Sequence, residues 1–185
     1  MKIDNEVKNK VVKHYMMNNF YESYRILFKL YNKELKGVGD KIFVLYNMAL
    51  ISKKMDRLEE SKKYIDEAMI YVRDKDGFNT EKCHIMWLYI ELNKSEISKD
   101  KLIEYYQSIK NNYYYYDDES EVILGIDLSI GLLKEDFAEV ENILNKCFSK
   151  GYIQTYKNTL KELEQTNKDM YDYFLIKYDI RELLA

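Results

Sequence analysis

Proline is absent from all 185 residues of this chain, and glycine occurs only six times. Without the two residues that break helices and set sharp turns, a fold of many tight reversals such as a β-sandwich is disfavoured. Apolar residues instead recur every three or four positions almost throughout, which is the pattern of amphipathic helices. A hydrophobic fraction of 46% supplies a core at this length, and 33% charged residues supply a solvated exterior.

The first residues, Met1-Lys2-Ile3-Asp4-Asn5-Glu6, are charged from the start and lack a signal-type apolar core. No window reaches the ~18 consecutive apolar residues of a membrane span. Cys83 and Cys147 are too few for a disulfide framework and are not at metal-ligand spacing. The expectation is a cytoplasmic chain with no membrane partner. A net charge of −3 argues against general nucleic-acid binding, but the charge is unevenly spread. Residues 1–93 carry 17 Lys/Arg and 14 Asp/Glu, giving +3; residues 94–185 carry 12 and 18, giving −6. The acidic excess suits a basic partner, and solvated helix faces produce the same imbalance.

The periodicity predicts about ten helices in five antiparallel pairs, forming a single domain over residues 1–185. Asp4 caps a helix to about Met17, and a second runs from Tyr21 to Lys36, ended by Gly37 in a left-handed conformation. Asp40 opens the next helix, and Gly77 closes the pair that follows. Asn79 or Thr80 starts a helix ending near Asn93, and Ser98 caps one to Lys110. Asn111 to Glu121, with the Tyr113–Tyr116 run, reads as an irregular connection that is also a candidate homodimer contact. Val122–Lys134 pairs with Phe137–Lys150, which Gly151 stops. Tyr152–Gln165 and Lys168–Leu184 complete the series, with Thr166 and Asp169 in a capping arrangement. Helix pairs of equal length in series point to an α-solenoid, with a compact bundle as the alternative.

One segment, residues 45–68, carries a repeat signature. Leu45, Met48 and Ala49 stand at large, Leu-like and small places, Leu58 follows the turn, and Ser61, Ile65 and Ala68 are small, large and small. Small Ala49, Ser61 and Ala68 permit close approach of two helices, and Met48 and Ile65 fill the gap between them. Asn19-Phe-Tyr-Glu-Ser23 aligns with Arg57-Leu-Glu-Glu-Ser61 at a spacing of 38, and Asp136-Phe-Ala-Glu-Val140 matches the same turn. This pattern resembles the tetratricopeptide repeat, most specifically over residues 42–75. Ser52 stands where that family usually has an aromatic, and Arg73 where it has proline.

That resemblance implies an all-α, right-handed superhelix whose first helices line a concave groove that binds a peptide or protein segment. The groove positions of the best repeat are Phe43, Tyr46, Asn47, Leu50, Lys53 and Lys54. Asn47 would hold a peptide backbone, since its amide both donates and accepts; a solvent-facing asparagine is the alternative. Lys53 and Lys54 would meet acidic groups, and Tyr46 and Leu50 would anchor apolar ones. Of the five places of the family's clamp for a C-terminal carboxylate, Lys8 and Asn47 match. Val12, Thr80 and His84 depart from it. The tyrosine-rich helices and Tyr46-Asn47-Met48-Ala49 are similar to the repeat region of bacterial peptide-pheromone regulators of the Rap and PlcR kind. Those regulators join the region to an output domain that is not visible here, so output would come from the repeat surface or a longer chain.

Further polar candidates lie outside the best repeat. Asp127 is the lone charge between Val122 and Leu133 and either faces the groove or sits on an exposed stripe. His84 and Trp87, one turn apart, offer a stacking and hydrogen-bonding pair, with core packing of Trp87 as the alternative. Lysines at 8, 10 and 13, or around 53–63, are basic but alternate as solubilising lysines do. There is no phosphate loop, zinc-protease motif or paired cysteines, and Cys83 and His84 point about 100° apart on a helix. Catalysis, a metal and a cofactor are therefore not expected. The alternative to a groove receptor is a structural or inhibitory module acting through an outer face or a dimer interface.

Overall fold

A tight turn recurs along the chain and sets its architecture. In the computed structural model, which describes residues 1–73, 79–112 and 120–178, Asn18, Asp56 and Glu135 each adopt a left-handed conformation with φ of 56–57°. In each case the next amide bonds back five residues: Asn19 N to His14 O, Arg57 N to Ser52 O, and Asp136 N to Gly131 O, at 2.8–3.0 Å. The left-handed residue's own amide bonds to Tyr15, Lys53 or Leu132 O. This double bond satisfies the last carbonyls of one helix while reversing the chain. The three turns precede the three segments that align in sequence. Gly151, at φ 75°, closes a fourth helix in the same way, with Tyr152 N on Cys147 O.

The described residues form ten helices and no strands. In order they are α1 (Asn5–Met16), α2 (Phe20–Tyr31), α3 (Val38–Lys54), α4 (Leu58–Val72), α5 (Asn79–Asn93), α6 (Lys99–Asn112), α7 (Glu121–Lys134), α8 (Phe137–Ser149), α9 (Ile153–Thr166) and α10 (Lys168–Tyr178). Asp4, Asn19, Ser120 and Asp136 cap their helices through side-chain oxygens, and Ser98 Oγ accepts from Lys101 N at the start of α6.

Two compact units result, Met1–Tyr113 and Tyr114–Ala185. In the first, each of α1 to α5 packs on the next, and α3 also reaches α5. In the second, α7 to α10 pack in succession and α7 also reaches α9. Helix-on-next-helix packing with a contact two helices on is the pattern of a helical repeat. The first unit's core includes Val11, Leu27, Ile42, Met48, Ile51, Ile65 and Ile85, all nearly inaccessible. The second is built on Leu124, Leu128, Val140, Ile143, Leu144, Leu160 and Phe174.

Close approach within pairs is enforced by small residues. Ser23 Oγ donates to Val11 O at 2.9 Å, and 38 residues on Ser61 Oγ donates to Ala49 O at 2.7 Å. The same hydroxyl bond spans both pairs, which gives the aligned serines their physical meaning. Ser52 is buried too, yet its hydroxyl has no hydrogen-bond partner. Between repeats, glutamates take the ties: Tyr24 and Tyr31 donate to Glu60 and Glu67, and Lys53 and Lys62 pair with Glu91 and Glu96.

Several expected boundaries move. α2 ends at Tyr31 rather than Lys36, because the Asn32 amide donates to Phe28 O and the chain turns Leu35 into the core. Gly37 is not left-handed; at φ −88° it stands as the residue before α3. Asp40 consequently lies inside the first turn of α3 and does not cap it. Asn167, not Thr166, caps α10, because α9 continues through Thr166, whose hydroxyl back-bonds to Glu162 O. Gly77, the Tyr113–Tyr116 run with the acidic residues after it, and the end of the chain beyond 178 lie outside the described residues.

The α7–α8 pair offers a direct test of close approach. A Cβ at Gly131 would stand 2.8 Å from Val140 Cγ2. Alanine favours a helix over glycine by about 1 kcal/mol, but overpacking against a stiff β-branched side chain costs about 1–3 kcal/mol. Gly131→Ala is expected to lower the urea midpoint, with a net loss of about 1 kcal/mol. A raised midpoint would show that Val140 gives way.

Candidate functional site

On the first unit, α1, α3 and α5 and the segment leading into α3 enclose an open cleft of about 620 Å³. Phe43, Tyr46 and Asn47 come from α3, Lys8 from α1, and Glu81 and His84 from α5; Lys2, Lys36, Gly39 and Asp40 also line it. The helical period places Asp40, Phe43 and Asn47 on one face of α3, at positions i, i+3 and i+7. Met48 and Ile51 turn to the core on the other side.

Five of the ten residues expected to bind a ligand therefore converge: Lys8, Phe43, Tyr46, Asn47 and His84. Tyr46 and His84 stack nearly parallel, 18° apart with centroids at 6.2 Å, joining α3 to α5. Asn47 Nδ2 donates to Phe43 O at 2.7 Å. That bond uses one amide hydrogen and holds the side chain along its own helix, so its carbonyl oxygen and second hydrogen are the groups that can meet a ligand.

The electrostatic centre is a residue whose sequence context suggests only a helix start. Asp40 is 6% exposed. One carboxylate oxygen receives the Lys8 ammonium at 2.6 Å, and the other receives the Ile3 amide at 2.9 Å. Burial works to raise the Asp40 carboxyl, but the Lys8 and Ile3 bonds outweigh it and hold the group below its ordinary range. Lys8 also stands over the Phe43 ring, 5.3 Å from its centroid. Three lysines and two carboxylates line the cleft, so these five groups together carry +1.

The other expected site residues do not line this cleft. Lys53 is ion-paired with Glu91 of α5 and ties one repeat to the next. Leu50 is half-buried further along α3, and Lys54 is exposed near its end. Trp87 is 40% exposed and meets Tyr106 edge-on at 6.1 Å, so it is neither fully in the core nor paired with His84. Asp127 is half-buried on α7, in the second unit. Asp40, Lys2, Lys36 and Glu81 were missed; the shared face of Asp40 with Phe43 and Asn47 was a usable signal, and the approach of residues 2 and 3 was not.

Cys83 and Cys147 are fully buried in different units, and burial pushes each thiol up to about 11. Among the described residues no three metal-ligating side chains gather, and no helix is long and apolar enough to cross a membrane.

Two outcomes follow from these environments. The native chain is expected to resist iodoacetamide at pH 8, with both thiols labelled only after denaturation, as mass spectrometry would read; rapid native labelling would contradict the burial. For Asp40, a lowered carboxyl contributes stability above its ordinary pKa and loses it as pH falls through the lowered one. The stability gap between the wild type and Asp40→Asn should therefore be widest near neutrality and close below about pH 4. Urea midpoints measured across that range would show it, and a gap independent of pH would contradict it.

No protein-family model and no curated protein matches this chain. The cleft itself carries the functional reading.

Proposed function

We propose that this chain is a receptor or adaptor that binds an extended peptide or protein segment in the α1–α3–α5 cleft, by recognition and not by catalysis. The observation that carries the reading is the convergence of Lys8, Phe43, Tyr46, Asn47 and His84, from three helices, on one open cleft. The lining suits such a ligand, because an aromatic floor and stacked wall supply apolar contact and Asn47 supplies backbone-type hydrogen bonding. The finer form of the proposal is a tetratricopeptide-like right-handed superhelix acting in the cytoplasm, similar to bacterial peptide-sensing regulators. The recurring left-handed turn and the paired Ser23 and Ser61 bonds support that form.

A second reading rests on the even-numbered helices. Tyr21 and Phe28 of α2 and Ile70 of α4 are 65%, 46% and 75% exposed. Such residues suit a protein partner or a second copy on an outer face.

The two readings separate on a defined probe, a degenerate library of N-acetylated heptapeptides passed over the immobilised chain. Asn47→Ala is expected to weaken retention about tenfold, the effect of losing one or two hydrogen bonds, while Phe28→Ser leaves it unchanged. Retention that ignores Asn47 and falls with Phe28→Ser would move the site to the outer face.

A further inference from the structure

Lys8 stands over the Phe43 ring in the cleft, and on its own it would be the natural place for a ligand carboxylate. Its ammonium is already engaged 2.6 Å from Asp40 Oδ1, and that carboxylate belongs to the protein. We infer that Asp40 is a specificity-determining residue of the cleft: a resident carboxylate that occupies Lys8 and so selects against ligands presenting a carboxylate at that point.

This inference rests on the peptide-binding reading of the cleft and deepens it. Three features keep Asp40 in place. It lies in the first turn of α3, where the helix favours negative charge. Its second oxygen is held by the Ile3 amide, and Ile3 is itself buried. Its side chain is 7% exposed against 29% for Lys8, so the carboxylate sits on the inner side of the pair. A ligand carboxylate drawing Lys8 outward would leave Asp40 buried without its counter-ion. Asp40 is buried, so stripping it of that partner is unfavourable, and its charge repels a second carboxylate approaching the ammonium's remaining donors. The segment lying over Lys8 and Phe43 is therefore uncharged there, read by the ring of Phe43 and the amide of Asn47.

The test compares two degenerate N-acetylated heptapeptide libraries of equal composition, one ending in a free carboxylate and the other in a carboxamide. Both are passed over the immobilised full chain. Asp40→Asn preserves an oxygen for the Ile3 amide but removes the charge on Lys8's partner. The ratio of retained carboxylate to carboxamide peptides is expected to rise about tenfold, the value of one charge-assisted hydrogen bond. Adding Lys8→Gln to that variant should abolish the rise. An unchanged ratio in folded Asp40→Asn, or a rise that survives Lys8→Gln, overturns the inference while leaving peptide binding intact. Retention of neither library by any variant overturns the peptide-binding reading and this inference with it. Should Asp40→Asn fail to fold, sodium acetate titrated into the wild-type chain decides the matter through lysine side-chain NMR resonances. Lys8 should shift only after Lys2 and Lys36, and a Lys8 shift at the lowest acetate concentration overturns the inference.

Discussion

Close packing of two helices across small side chains is the constraint on which the first unit depends. Ser61 reaches Ala49 O across the α3–α4 interface, and Ser23 reaches Val11 O across α1–α2. A hydroxyl can make that bond only if the backbones lie near each other, and the bond satisfies a polar group that burial would otherwise penalise. Because the core side of α3 is spent on α4, its opposite face is left for the cleft. Gly131 allows the same close approach against Val140 in the second unit without a polar group. Ser52 shows the cost of a small polar residue where no acceptor is in reach, a hydroxyl fully buried and without a partner.

The cleft inherits its chemistry from this arrangement. Successive odd-numbered helices of the first unit present one face each, so residues far apart in sequence share one surface. Lys8 and Asp40 meet across 32 positions, and Tyr46 and His84 across 38. The ion pair ties α1 to α3, and the stacked rings tie α3 to α5. Both contacts fix the geometry of the cleft.

Much of this was legible in the sequence. Helix content followed from the missing prolines and the apolar period, and the aligned turns at 19–23, 57–61 and 136–140 proved to share one backbone conformation. Phe43, Tyr46 and Asn47 were expected as a group from the repeat resemblance, and their lying on one helix is what lets them share a cleft. Lys8 was expected from its match to the family's carboxylate clamp and His84 as a partner for Trp87, whereas His84 stacks on Tyr46. Gly37 and Asp40 were misread because a glycine before an acidic residue looks like a helix stop and start. Here the chain had already left α2 at Asn32, so the glycine sits at the entry to α3.

Periodicity is local, and for that reason the sequence by itself determined the helices and their pairing into short hairpins. Partner choice among charges is not local. Lys53 reads the same as Lys54 along the chain, yet one is held by Glu91 and the other stands exposed at the end of the helix. Asp40 reads as a helix start until α1 brings Lys8 and the Ile3 amide to it. Only the tertiary structure decided these pairings, because burial and the approach of a second helix set whether a charge is solvated, neutralised or offered to a ligand.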